Sequence, residues 1–220
     1  MEKIVFCKIS CMKYYKGAGP NDMPYNGGSF VNKNGYGYEE YNFFTRKFAK
    51  EWVDVSGTIQ PGEYYLGHVE TKSTYASKRN QLHVEKIRGF NDTYKNQPSV
   101  SGVTVIWCAT TDLNETSVVG WYKNATVYRE YQTIGIEDGT QRTYNVLAHA
   151  ADCVLLPQGV RHKYIWKIPL KKHTKVFGFG QSMLWYAQEE EALSYLQHLT
   201  DSIDNYKETK DTSDCIKITI

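Results

Sequence analysis

Residues 3–10, Lys-Ile-Val-Phe-Cys-Lys-Ile-Ser, form a β-prone run that predicts a core strand. Val103 to Ala109 is a nearly continuous apolar run of strand length and predicts a central strand. A polar, turn-like stretch from Thr110 to Glu115 follows, then Val118 to Arg129 as the partner strand, so the two read as a hairpin. Further strands are expected at Glu63 to Glu70, Tyr144 to Leu147 and Cys153 to Leu156, with a short one at Tyr41 to Phe44. Ala148 to Ala151 is a small-residue link, and Glu137-Asp138-Gly139 is a turn signal. Residues 71–99 are polar and mixed, with Leu82, Val84 and Ile87 the only regular apolar signal. Residues 11–40 collapse into Tyr, Lys, Gly and Asn and read as a long glycine-rich loop. One helix is expected, Glu189 to Tyr206, because Ala192, Leu196, Leu199, Ile203 and Tyr206 recur on one face and Glu189, Glu190 and Glu191 suit its first turn.

The pattern therefore predicts an α+β fold: a strongly curved, barrel-like mixed β-sheet with long loops and a C-terminal helix. One domain spans residues 1–206, and residues 207–220 are a polar tail ending in Cys-Ile-Lys-Ile-Thr-Ile, read as an edge strand. Composition changes this picture at two points. Eighteen Tyr and five Trp favour strands and recognition surfaces, since each ring joins a flat apolar face to a polar tip. A net charge of only +2 excludes a histone-like binder but allows a local basic patch. No apolar run has the roughly 20 residues needed to span a bilayer, and the first residues read as a strand rather than a signal peptide. Five cysteines (Cys7, Cys11, Cys108, Cys153, Cys215) show no CxxC pair, and the Asn-x-Thr triplets at Asn91, Asn114 and Asn124 matter only after secretion. A reduced, cytoplasmic protein is the expectation.

Catalytic signatures are absent: no Walker-type loop, no HExxH, no GxSxG and no calcium-binding loop. The six histidines show no ligand spacing, and neither His149 with Asp152 and Cys153 nor Arg161-His162 makes a persuasive metal or nucleophile site. No metal, cofactor or catalytic residue is expected. The binding signal is stronger. Lys13, Tyr14, Tyr15 and Lys16 alternate cation and ring, and the stretch 118–129 supplies Gly120, Trp121, Tyr122, Lys123, Asn124, Tyr128 and Arg129. Rings, cations and an amide are the parts of a pocket for a planar base, where one stacked base is worth roughly 1–3 kcal/mol. Gln181, with Trp185 and Tyr186 nearby, adds another amide and more rings. Against this stands a plainer origin for the same residues, β-forming aromatics packed in a sheet.

The ordered set Met12 to Gly17, Gly27 to Val31, Tyr41 to Phe43, Gly102 to Ala109, Val119 to Arg129 and Gly180 to Ala187 resembles a bacterial domain found at the N-terminus of larger restriction and phage-defence proteins, often joined to nuclease modules such as HNH. The resemblance runs to about residue 206, and its most specific motif is Gly-Trp-Tyr-Lys-Asn-Ala at 120–125. It implies a recognition module rather than a nuclease, similar in role to the PUA/EVE group, which flips a modified base into an aromatic pocket; the tie to that fold is by role, with no EVE motif matched residue by residue. No nuclease module follows here, so the chain is either an excised domain or a protein serving a separate effector. The reading that results is a non-catalytic DNA sensor for a flipped, modified base, with modified cytosine among the candidates and the base itself left open. Trp121, Tyr122 and Tyr14 or Tyr15 would stack on the base, with Trp185 adding a ring, and Asn124 or Gln181 would read its edge. Lys13, Lys16, Lys123 and Arg129 would hold phosphates. The alternative is a small-ligand sensor or enzyme taking a free nucleotide, which salt dependence separates from DNA binding; a metal-dependent nuclease ranks below both.

Overall fold

In the computed structural model, which describes residues 2–71, 81–136 and 139–207, the apolar run of the sequence becomes the middle of a large sheet. The strands are β1 (Ile4–Ile9), β2 (Thr45–Phe48), β3 (Trp52–Asp54), β4 (Gly57–Ile59), β5 (Gly62–Gly67), β6 (Ser99–Thr110), β7 (Thr116–Gly135), β8 (Gln141–His149), β9 (Cys153–Leu155) and β10 (Leu184–Trp185). The helices are α1 (Gly28–Asn34), α2 (Lys171–Thr174) and α3 (Leu193–Asp204). The main sheet runs β10-β1-β6-β7-β8-β5-β2, with β9 added to β7 beside Gly120 to Tyr122. It is mixed because β1 lies parallel to β6 while the other pairs are antiparallel. Strands β10 and β2 end the path and do not pair with each other, so the sheet is open and the expected barrel does not close.

Both faces of the central strands are covered, which is why β6 reads as an unbroken apolar run rather than an alternating one. On one face Val5, Cys7, Ile9, Val105, Trp107 and Tyr122 pack with Tyr15, Phe43 and the buried trio Leu82, Val84 and Ile87. On the other, Ile4, Phe6, Ile106, Cys108 and Trp121 pack beneath Leu196, Leu199 and Ile203 of α3. A third, smaller cluster joins Tyr64, Leu66, Tyr128, Tyr144 and Leu147 to the β3–β4 hairpin. There the Asp54 carboxylate accepts from the Tyr128 hydroxyl at 2.5 Å and the Tyr144 hydroxyl at 3.2 Å, pinning the hairpin to the sheet. Gly120 serves the packing: a Cβ there would sit 2.3 Å from the Val154 carbonyl oxygen and 2.5 Å from Phe43. The close neighbours are a strand backbone and a core ring, which fill the space a ligand would need.

Several expectations change. Tyr41 to Phe44 is not a strand: a 3-10 turn over Tyr38–Tyr41 ends there, and β2 begins at Thr45. The cause is Asn42, whose side-chain amide donates to the His68 carbonyl and accepts from the His68 N–H, replacing a backbone ladder with a side-chain one. Strands β2, β3, β4 and β10 and the short helix α2 were not foreseen, and the loop expected over 11–40 contains α1. The hairpin strands β6 and β7 are longer than the apolar run and carry bulges. The terminal helix holds the expected face, but a 3-10 turn over Glu190–Ala192 precedes α3. The turn placed at Glu137-Asp138 and the edge strand placed in the tail lie outside the described residues. Among the described residues no helix is long and apolar enough to cross a membrane.

Candidate functional site

The residues assigned to a base pocket from sequence do not form one. Trp121 is 2% exposed and stacks on Trp166 at 5.7 Å under α3, while Tyr122 faces the opposite core and donates its hydroxyl to the Asn42 carbonyl. Adjacent strand residues point to opposite faces, so the two rings cannot sandwich one base. Tyr15 does approach Tyr122, since both meet Phe43, at 5.6 and 5.5 Å, but the meeting lies inside the core. Trp185 is buried too, stacked on Phe6 at 4.4 Å with its indole N–H on Glu189. Asn124 is exposed with a φ of 52°; Lys123 and Asn124 together stand opposite Thr104, so Asn124 takes the left-handed conformation a bulge requires. Gln181 is exposed in the loop before β10.

Lys123 and Arg129 are held in ion pairs. Lys123 pairs with Asp204 of α3 at 2.6 Å. Arg129 pairs with Glu85 at 2.8 Å and donates to the Gln97 and Tyr94 carbonyls, tying the 82–97 segment to β7. Burial alone would raise the Glu85 carboxyl, but hydrogen bonds from its own backbone N–H and from Arg129 outweigh it and hold the pKa below the carboxylate range. Lys13 lies over the half-buried Tyr14 ring at 4.5 Å, and Lys16 is exposed. Their turn is clasped from both sides: Asp22 accepts from the N–H groups of Lys13, Tyr14 and Tyr15, and the buried Arg161 donates to the carbonyls of Met12, Lys13 and Leu156. This accounts for the left-handed Tyr15, φ 53°, without a ligand.

A different group of aromatics does line a cavity. Gly27, Val31, Gly37, Tyr38, Glu39, His68, Glu70, Tyr131 and Thr143 surround a space of about 350 Å³, within the range of small-molecule sites. The His68 ring lies parallel to Tyr131 at 4.8 Å (3° between planes) and meets Tyr38 at 5.2 Å. Tyr131 reaches this position because β7 bulges widely between Val127 and Gln132, against which β8 supplies only Asn145 between its paired residues. Asn145 holds the segment after β5 by accepting from the Val69 N–H and donating to the Val69 carbonyl. The Tyr131 hydroxyl accepts from the Thr71 N–H at 2.9 Å and donates to the Val69 carbonyl at 3.2 Å. Asn42 fixes His68 in the same manner, so two buried amides hold the ring column rigid. Gly27 completes the wall, since a Cβ there would fall 2.6 Å from Val31 and 2.7 Å from Ser10.

The His68 tautomer follows from its neighbour. Nδ1 lies 3.2 Å from the Thr143 carbonyl oxygen, which can only accept, so Nδ1 carries the proton. Desolvation by burial lowers the His68 pKa to about 4, leaving the ring neutral at pH 7 with Nε2 an acceptor. Glu39 reaches back to accept from the Ser10 N–H at 3.2 Å, and Glu70 is exposed at the rim. The cavity thus has flat ring walls and an edge dominated by acceptors: Nε2 and two carboxylates. Such a lining has the shape and polarity to accept a planar, donor-bearing ligand. Sequence reasoning set these residues aside because Tyr38 sat in an expected loop, His68 in a strand without ligand spacing, and Tyr131 beyond the expected hairpin strand.

Among the described residues no group of three or more His, Cys, Asp and Glu side chains is placed to hold a metal ion. Burial raises the thiols of Cys7, Cys11, Cys108 and Cys153, which keeps them protonated at neutral pH. Comparisons of the chain with protein-family models, with curated proteins and with solved structures found no match.

Proposed function

We propose that the protein is a non-catalytic recognition module that binds an amine-bearing nucleobase in the Tyr38–His68–Tyr131 cavity. The observation that carries the reading is the pairing of rigid aromatic walls with an edge of acceptors. Cytosine and adenine present an exocyclic amine that donates to a carboxylate or to a neutral imidazole nitrogen, whereas thymine presents only carbonyls and one ring N–H. In the wider reading the base belongs to DNA and is extruded from the stack, a role similar to that of PUA/EVE-type readers in restriction and phage-defence proteins, with modified cytosine the leading target. A separate effector would then act on the bound DNA. The aromatic contact moves from Trp121 and Tyr122 to Tyr38, His68 and Tyr131, and the edge contact from Asn124 or Gln181 to Glu39, Glu70 and His68.

Calorimetric titration with cytidine, 5-methylcytidine, adenosine and thymidine tests the reading. Amine-bearing nucleosides should bind more tightly than thymidine. Tyr38 is 62% exposed, so Tyr38→Ala should leave the melting temperature unmoved while removing roughly 1–3 kcal/mol of stacking. Equal binding by the variant, or no nucleoside binding by either protein, would sink the base-pocket reading. Titration of one duplex carrying cytosine, 5-methylcytosine or 5-hydroxymethylcytosine then names the target.

A further inference from the structure

The 3-10 turn that places Tyr38 and Glu39 at the cavity ends at Tyr41, whose ring carries two guanidinium groups. Arg142 lies 3.8 Å from its centroid and Arg46 lies 5.7 Å away, the latter also 4.2 Å over Phe44. A guanidinium laid on a ring keeps its N–H groups in its own plane, directed outward, where they match the oxygens of a phosphate. Two like charges sharing one ring repel, and an anion bound between them relieves that repulsion. Among the described residues Arg142 makes no ion pair, and its buried Nε–H has no acceptor. The Glu40 carboxyl feels the charge of Arg142. Burial raises its carboxyl pKa, against the pull of nearby hydrogen bonds and of Arg142, which weakens it as a permanent partner.

The placement relates these arginines to the cavity. Tyr41, which carries both guanidinium groups, stands one 3-10 turn after Tyr38 of the cavity, about 6 Å along the axis and on the same side of the turn. That is the scale separating a base from the phosphate of its own nucleotide. Resting on the base-pocket reading for its geometry, we propose that Arg46 and Arg142 hold a backbone phosphate of the DNA strand whose base enters the Tyr38–His68–Tyr131 cavity. The ligand is then a polynucleotide. Lys13, Lys16, Lys123 and Arg129, the phosphate residues expected from sequence, are not needed for this contact.

The test compares the wild-type chain with Arg46→Gln, Arg142→Gln and the double variant, glutamine keeping part of each side chain's packing on Tyr41. Fluorescence anisotropy follows binding of a labelled single-stranded oligonucleotide and of a duplex with one mismatched, easily extruded cytosine, at two salt concentrations. Calorimetry follows cytidine and its 5′-monophosphate. Each variant should weaken oligonucleotide binding about tenfold at low salt and lower the slope of log affinity against log salt by about one, while cytidine binding stays at the wild-type level. Wild-type affinity for the oligonucleotides in variants that melt at the wild-type temperature, or no oligonucleotide binding by the wild-type chain, would overturn the proposal. A monophosphate that binds as tightly as the oligonucleotide, with the same loss in the variants, would overturn the polynucleotide in favour of a free nucleotide. Loss of oligonucleotide binding in the variants when cytidine fails to bind the wild-type chain would keep the phosphate contact and remove only the base pocket.

Discussion

His68 offers a titration that reads the cavity floor. Its ring is walled in by Tyr38, Tyr131 and the Thr143 carbonyl, and burial drops its pKa from 6.5 to about 4. The perturbation is acidification from about pH 7.5 to about pH 5. The unfolded chain protonates its histidine as pH falls through 6.5, while the folded chain keeps His68 neutral until about 4. Because the folded value is depressed, the unfolded state binds more protons across this window, so stability is full above 6.5 and declines towards 4. The difference between the two values caps the loss at about 3 kcal/mol, and at about pH 5 it amounts to about 2 kcal/mol. Urea unfolding followed by tryptophan fluorescence at the two pH values measures it. The same pair of measurements on His68→Gln isolates the contribution. Glutamine can still donate to the Thr143 carbonyl but does not titrate, so its stability should change less between the two conditions by about that amount. An identical drop in both proteins would show that His68 is not the buried neutral ring described above.

The remaining predictions concern residues that the sequence offered as site and the structure uses as scaffold. Trp121→Ala should cost about 3–5 kcal/mol by emptying a core position beneath α3, seen as a large fall in melting temperature; an unmoved melt would mean the ring is not core. Asp54→Ala should leave the Tyr128 and Tyr144 hydroxyls without their half-buried carboxylate acceptor at about 1 kcal/mol each, with faster amide exchange in the β3–β4 hairpin than in β6. Exchange rates unchanged in that hairpin would show that the carboxylate does not pin it.

The central strands and the terminal helix were legible because their signals are local. An apolar run of strand length and a three-and-four spacing of Leu196, Leu199 and Ile203 follow from backbone geometry, whatever the rest of the chain does. The site was not legible. Trp121 and Tyr122 are the same kinds of residue whether they stack on a base or fill two cores, and strand alternation, modified by bulges, decides which. The pairing of Asn42 with His68 and of Asn145 with Val69 joins residues 26 and 76 positions apart, and no periodicity encodes it. Tyr38, His68 and Tyr131 come from a turn, the end of one strand and a bulge in another. Each alone is an ordinary residue in an ordinary context. By itself the sequence determined that this chain folds around a mixed sheet and carries an excess of rings. Which rings the core would take, and which would be left around a cavity, only the tertiary structure decided, because burial depends on contacts between segments far apart in the chain.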